Sequence, residues 1–183
     1  MICLALATAA VLSTADAPPP TAGARMVKET AYARVALAQS IARDPGVLDA
    51  VKTKNKSGET MEQIRRKDAY WIATPHDPLR QQIVQAPCSN KLKALVKGDP
   101  LIVEAFAMDF QGALVCSINE TSDYWQGDEA KWQRTYQEGK ETFVDEPAFD
   151  ASSGTYAIQL SVPVYDAPGQ RIGALTLTLK LKR

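Results

Sequence analysis

Residues 156–164, YAIQLSVPV, and residues 172–181, IGALTLTLKL, decide the fold class of this chain. In the first stretch, and from residue 175 in the second, large apolar side chains alternate with small or polar ones. A period of two is typical of a β-strand that buries one face. The turn sequence Asp166-Ala167-Pro168-Gly169 lies between the two stretches. Together they predict two antiparallel strands joined as a hairpin.

More strands are predicted upstream of this hairpin. Residues 101–108 and 113–118 are rich in side chains that favour strands, and the turn sequence Asp109-Phe110-Gln111-Gly112 separates them. A further short strand is predicted over residues 142–144. The polar and aromatic segment before that strand is predicted to be helical over residues 127–137.

The first half of the chain follows a helical period instead. Over residues 25–43 apolar side chains recur at steps of three and four, and Pro45-Gly46 ends this helix. Shorter helices are predicted over residues 47–52, 59–73 and 90–97, the last with Ser89 as its N-cap. Helices followed by hairpin-linked strands predict a single α+β domain with an antiparallel sheet.

Composition and charge exclude several classes of protein. Among 183 residues, 21 Lys and Arg balance 21 Asp and Glu, so the formal net charge is zero. The chain therefore lacks the excess of positive charge that is typical of nucleic-acid-binding proteins. His76 is the sole histidine and no two cysteines have metal-type spacing, which excludes a zinc site built on those side chains. The sequence contains no glycine-rich phosphate loop, and its spacing singles out no pair of catalytic carboxylates. We therefore expect a protein that is not an enzyme and has no cofactor.

The first 17 residues predict export. They contain an apolar run of about eleven residues, too short to span a membrane, followed by the small-x-small sequence Ala15-Asp16-Ala17. No basic residue precedes the run, so an uncleaved cytosolic segment is the alternative. We expect residues 1–17 to be a signal peptide and the protein to be periplasmic or secreted.

Export would leave Cys88 and Cys116 as the cysteines of the mature chain. An even pair of cysteines in an exported protein favours a disulfide. Two small buried thiols are the alternative, and the sequence leaves both open.

The segment with the most chemical information is 123–136, DYWQGDEAKWQRTY. On a helix that begins at Gly127, Asp128 and Trp132 lie on one face together with Tyr136. Aromatic faces and a carboxylate together suit a cationic amine or an amino acid. The alternative is that these aromatic side chains pack in the core.

Other residues near this segment are candidates for the same site. Tyr124 and Trp125 precede the predicted helix, and Lys131, with Arg134, lies on another side of it, where a ligand carboxylate would bind. Tyr156 and Gln159 belong to the strand over residues 156–164, with Gln159 on its polar face beside Ser161. Each of these strand residues is equally compatible with an ordinary sheet surface.

Acidic residues raise a divalent-cation alternative. Asp145, Glu146 and Asp150 follow the segment that contains Asp123 and Asp128. Their spacing lacks the alternating oxygen ligands and the terminal glutamate of an EF-hand. The sequence therefore predicts no metal site.

Several stretches together resemble a known family. They are residues 102–109 (IVEAFAMD), 112–115 (GALV) and 121–132 (TSDYWQGDEAKW), continued by Phe149-Asp150, residues 156–164 and Ile172-Gly173-Ala174. These stretches resemble the PDC sensor family, whose members are single-Cache, extracytoplasmic PAS-like domains. The resemblance covers residues 25–181. The resemblance implies a long N-terminal helix packed on a five-stranded antiparallel sheet. It also implies a small-molecule pocket between that sheet and the 121–137 segment.

These observations predict an α+β single-Cache domain over residues 25–183 that binds a small organic ligand without catalysis. The ligand would be an amine, an amino acid or a small organic acid. Members of the family usually act with a sensor kinase or a chemoreceptor, and the N-terminal helix suggests a weak homodimer. The alternative function is a structural or protein-interaction module that acts through this helix. The expected ligand-binding residues are Tyr124, Trp125, Asp128, Lys131, Trp132, Tyr156 and Gln159.

Overall fold

The long hairpin that the alternation predicts is present. The structure is a computed structural model, which describes residues 22–150, 153–166 and 169–181, so the predicted signal peptide lies outside the described residues. The strands are β1 (Ile102–Met108), β2 (Leu114–Ser117), β3 (Phe143–Val144), β4 (Ala148–Asp150), β5 (Thr155–Tyr165) and β6 (Arg171–Lys180). The helices are α1 (Ala22–Tyr32), α2 (Val35–Ala42), α3 (Pro45–Asn55), α4 (Met61–Ala73), α5 (Pro78–Gln85), α6 (Pro87–Val96) and α7 (Ala130–Trp132). None of the helices in these described ranges is long and apolar enough to cross a bilayer.

All of these strands pair antiparallel in one sheet, in the order β2-β1-β6-β5-β3, with β4 also bonded to β5. This confirms the α+β fold with an antiparallel sheet. The sequence predicts five strands, whereas the described residues form six, because Ala148–Asp150 pairs with residues 155–157 of β5. Three residues are too few to show a period, so the sequence pattern does not indicate this strand.

The predicted helix over residues 25–43 is two helices, α1 and α2. The break is at Arg34, whose backbone N–H donates to the carbonyl oxygen of Ala31. In a continuous helix the backbone N–H of Arg34 would donate to the carbonyl oxygen of Thr30. Here the guanidinium of Arg34 donates to that oxygen instead, at 2.8 Å. The same guanidinium pairs with Asp99, in the loop before β1, at 2.6 Å. This long-range pair fixes the break, and both helices still pack on β5, as predicted.

We expect the Arg34–Asp99 pair to stabilise the domain only above acidic pH. The hydrogen bond from Arg34 lowers the pKa of the Asp99 carboxyl, and it outweighs the opposite effect of burial. Because the folded pKa lies below the unfolded value of about 3.9, the stabilisation is present above that pH and is lost as the pH falls through the folded pKa. Urea unfolding of wild type and Asp99→Asn across this range measures the effect. The difference in the free energy of unfolding should shrink towards low pH, and a constant difference would contradict the expectation.

The helices α5 and α6 also differ from the sequence prediction. Pro78 and Pro87 are the first residues of the two helices, where a proline needs no N–H partner. The predicted N-cap Ser89 therefore lies inside α6. Its hydroxyl donates at 2.5 Å to the carbonyl oxygen of Ile83 and accepts at 2.9 Å from the N–H of Ser117. Ser89 thus joins α5, α6 and β2 instead of capping a helix.

A disulfide joins Cys88 in α6 to Cys116 in β2, which confirms the pairing that the sequence left open. The two Cα atoms are 5.8 Å apart, within the usual range for a disulfide. Cys88 and Cys116 are both buried. The bond therefore ties the helical layer to the edge of the sheet.

The two faces of the sheet have different chemistry. One face is apolar, and it packs against α2, α3 and α6 through residues such as Ala105, Leu160 and Leu177. On the other face Phe106 and Met108 pack beneath the segment that follows β2. Toward one end of that second face the side chains become polar, with Glu104, Gln159 and Thr178 in neighbouring registers. The candidate site lies over this polar end.

Candidate ligand-binding site

The segment over residues 121–137 crosses the second face of the sheet, but its helix begins later than predicted. Helix α7 begins at Ala130 and continues as a π-helix over Gln133–Gln137. Before it, the N–H of Gln126 donates at 2.8 Å to the carbonyl oxygen of Gly112. A Cβ on Gly127 would lie 2.5 Å from Nε1 of Trp125, so only glycine fits at this position. This close packing keeps residues 126–129 out of the helix, and Asp128 does not share a helical face with Trp132.

A cavity of about 100 Å³ lies between the sheet and this segment, at the place where a ligand pocket is predicted. At the liquid's volume of about 30 Å³ per water, it has room for roughly three water molecules. The sheet contributes one wall and the 121–131 segment the other. The residues that line it are Glu104, Phe106, Thr121, Ser122, Gln126, Glu129, Lys131, Asp150 and Gln159.

The cavity is polar and mainly acidic. Among the described residues that line it, three carry carboxylates, and Lys131 supplies the one ammonium group. Lys131 is only 6% exposed; its Nζ lies 2.8 Å from Oε2 of Glu129 and 5.2 Å from the centre of the Phe106 ring. Glu104 is buried in β1, where it accepts a hydrogen bond from Oγ1 of Thr178 at 2.8 Å.

Burial raises the pKa of the Glu129 carboxyl, although the neighbouring Lys131 acts to lower it. Asp123 and Asp128 add to the rise by charge repulsion. A cation that enters the cavity would stabilise the ionised form of Glu129 and lower this pKa.

The structure brings two of the seven predicted binding residues to the cavity. They are Lys131 from the 121–131 segment and Gln159 from β5. Gln159 lies on the polar face of its strand, as the period of two indicates, and its register partner is Thr178.

Three predicted aromatic residues make contacts within the protein. Tyr124 is fully buried, and its hydroxyl accepts from Nζ of Lys54 at 2.6 Å and donates to Glu59 at 3.1 Å. Trp132 is 5% exposed, and its Nε1 donates at 3.0 Å to the carbonyl oxygen of Asp109. Trp125 is half-buried; its Nε1 donates at 2.8 Å to the carbonyl oxygen of Gln111.

The other two predicted residues lie on the surface, away from the cavity lining. Asp128 is exposed, and Tyr156 is 57% exposed beside the ring of Phe149. Contact of a ligand with any of the seven residues stays a prediction.

Sequence reasoning missed two acidic members of this lining, Glu104 and Glu129. A signal for Glu104 is present, because it is the one charged residue within the β-rich stretch 102–108 and lies two positions from Phe106. A charge on a buried strand costs free energy unless it is paired or functional. Glu129 carries no separate signal, since it is one of several charged residues in the segment that contains Asp128, Lys131 and Arg134.

A second, more open groove of about 540 Å³ lies between α3, α5 and β2. Its walls are mainly apolar, and Lys54 and Lys67 supply its ammonium groups. Burial acts to raise the pKa of Glu59, but hydrogen bonds from both lysines outweigh it and leave that pKa below the usual range. Both ammonium groups pair with Glu59. Because the walls of this groove are mainly apolar, it suits a small polar ligand less well than the polar cavity does.

Comparison with known proteins gives matches in structure only. No protein-family model and no curated protein sequence matches the chain. The extracellular domain of vpHK1S-Z8, described as a histidine kinase, matches 86% of this chain with a TM-score of 0.52 and 7% identity. This chain therefore shares its fold with that extracellular domain. The resemblance inferred from the sequence is therefore confirmed at the level of the fold.

Two further sensor domains match less closely. The sensor domain of the V. cholerae histidine kinase DctB covers 87% of this chain at 15% identity, with a TM-score of 0.49. The E. coli DcuS sensor domain covers 85% at 14% identity, with the same TM-score. The chain spans 92% of the DcuS structure but about half of the other two, 52% of DctB and 54% of vpHK1S-Z8.

Proposed function

We propose that this PDC-type domain is an extracytoplasmic sensor that binds a small organic ligand in the acidic cavity and performs no chemistry on it. The observation that carries the proposal is the polar cavity between the sheet and the 121–131 segment. Its lining supplies hydrogen-bond donors and acceptors with little apolar surface. Such a lining matches a small, strongly hydrated ligand better than an apolar one.

The charge of the lining favours a ligand with an ammonium group. Of the described side chains that line the cavity, Glu104, Glu129 and Asp150 carry carboxylates, and Lys131, which pairs with Glu129, carries an ammonium group. A simple amine would be attracted by the carboxylates. An amino acid would in addition place its own carboxylate near Lys131. Of the ligand classes that the sequence left open, amines and amino acids are therefore preferred over organic acids.

A calorimetric titration with two groups of compounds tests this proposal. Ethylammonium, ethanolamine and alanine represent the preferred classes, and acetate and succinate represent the acids. Binding also raises the melting temperature by mass action, which gives a second readout. Binding of the amines or alanine with weak or absent binding of the acids is the expected result. Preferential binding of the acids would overturn the assignment of ligand charge.

Replacing Glu104 should weaken amine binding without unfolding the domain. Glu104→Gln keeps an oxygen that accepts from Thr178 and removes the negative charge from the cavity wall. Loss of a charged hydrogen bond costs about 1.5–3 kcal/mol, which is roughly 10- to 150-fold in the dissociation constant. The matched control is Glu62→Gln, which removes a charge from an exposed residue outside the lining. Equal affinities of Glu104→Gln and wild type, measured by calorimetry, would contradict the expectation.

A sensor kinase or chemoreceptor is the partner that we propose for the domain, with no nucleic-acid partner.

A weak homodimer through α1 remains a prediction, supported by the exposure of Met26 and Tyr32 on that helix. Light scattering over a concentration series tests it: the average mass should rise only at high protein concentration. The alternative function as an interaction module is favoured if the domain dimerises and binds none of the compounds above.

A further inference from the structure

One wall of the acidic cavity is the 121–126 loop, which contributes Thr121, Ser122 and Gln126 to the lining. On one side this loop is fixed to the start of β2. The N–H of Leu114 donates to the carbonyl oxygen of Tyr124 at 3.0 Å, and Gln126 bonds to Gly112 as described above. These bonds fix the loop relative to β2, but they do not involve the backbone N–H groups of residues 124 and 125, which donate to a different acceptor.

That acceptor is Asp68 in α4, on the other side of the loop. Its Oδ1 accepts from the backbone N–H of Tyr124 at 2.9 Å and from that of Trp125 at 2.9 Å. One turn further along α4, Nε1 of Trp71 donates at 3.0 Å to the carbonyl oxygen of Thr121. Helix α4 therefore holds the loop at residue 121 and again at residues 124 and 125.

Placing a charged carboxylate at this position of α4 has a cost in desolvation free energy. Asp68 is half-buried, and within the described ranges it forms no ion pair. Burial raises its pKa, and the charges of Asp123 and Asp128 raise it further, while the two N–H groups act to lower it. The two backbone hydrogen bonds are thus the favourable interactions that offset the cost of the charge.

We propose that Asp68 is a positioning residue of the ligand cavity. It binds no ligand itself, since it is absent from the lining. By accepting the N–H groups of residues 124 and 125, it holds the 121–126 loop so that Thr121, Ser122 and Gln126 face the cavity. The effect on ligand affinity rests on the function proposed above, whereas the hold on the loop does not.

Two substitutions at residue 68 separate this role from general stability. Asp68→Ala removes the acceptor, while Asp68→Asn keeps the Oδ1 oxygen that both N–H groups use and removes only the charge. Val47→Ala, in the core on the opposite face of the sheet, is the control for stability loss without an effect on the loop. All four proteins are titrated with ethylammonium and alanine well below their melting temperatures. Affinity should fall by at least about tenfold in Asp68→Ala and stay within about threefold of wild type in Asp68→Asn and Val47→Ala.

Hydrogen exchange of the loop amides gives a readout that needs no ligand. The amides of Tyr124 and Trp125 should be protected in wild type and Asp68→Asn, and should exchange faster in Asp68→Ala, with the sheet amides unchanged. Unchanged loop protection in Asp68→Ala would overturn the proposal, and so would wild-type affinity in that variant. If wild type binds neither compound, the proposed ligand class fails, and the exchange measurement alone decides the role of Asp68.

Discussion

Reduction of the Cys88–Cys116 disulfide is expected to lower the free energy of unfolding by about 3–4 kcal/mol. The two cysteines are 28 positions apart, so the bond closes a loop of that size in the unfolded chain. Opening the loop restores conformational entropy to the unfolded state and leaves the folded contacts largely in place. Urea unfolding with and without dithiothreitol measures the difference. For a domain of this size the loss is a large part of a typical total stability of about 5–15 kcal/mol.

The double variant Cys88→Ala/Cys116→Ala is the control for this experiment. It should be as unstable as the reduced wild type, or slightly less stable, and should not respond to the reductant. If dithiothreitol shifts both proteins equally, the effect belongs to some other part of the chain. If it shifts neither, the two thiols are not bonded in solution.

Trp132→Ala is expected to lower the free energy of unfolding by about 3–5 kcal/mol, the usual cost of removing a buried tryptophan. The indole ring is stacked on Tyr136 with the ring centres 5.1 Å apart, and it lies in the core cluster with Phe106 and Met108. The substitution also leaves the carbonyl oxygen of Asp109 without the indole donor. Thermal and urea unfolding measure the loss.

Asp128→Asn is the control within the same segment, since an exposed side chain should change stability by no more than about 0.5 kcal/mol. The comparison also distinguishes the two interpretations that the sequence left open for this segment. If the tryptophan faces a ligand, Trp132→Ala would retain most of its stability and lose affinity. A stability loss below about 1 kcal/mol would therefore contradict the packing described above.

The two predictions concern opposite sides of the sheet. The disulfide fixes the helical layer to the edge strand β2, and Trp132 fixes the 121–137 segment over the second face. Between this segment and the sheet lies the acidic cavity. Variants at Glu104 and Asp68 are expected to act on affinity, because one lines the cavity and the other holds its wall.

The sequence by itself determined the fold class, whereas the place of the cavity followed from the family resemblance. The alternation over residues 156–164 fixes which side chains of β5 face the helices and which face the second layer, since a strand has a strict period of two. Gln159 therefore lies on the polar face of β5 and lines the cavity. The aromatic and charged composition of residues 121–132 indicated the segment that covers the cavity, and Lys131 of that segment lines the cavity.

Only the tertiary structure decided where helices begin and break, and which side chains reach the cavity. The break at Arg34 depends on Asp99, which is 65 positions away. The late start of α7 depends on close contact between Gly127 and the turn before β2. Helical periodicity is a local property, whereas these contacts join residues far apart in the chain. For the same reason Tyr124 and Trp132 pack in the core, while Glu104, on a strand of apolar neighbours, supplies a charge to the cavity wall.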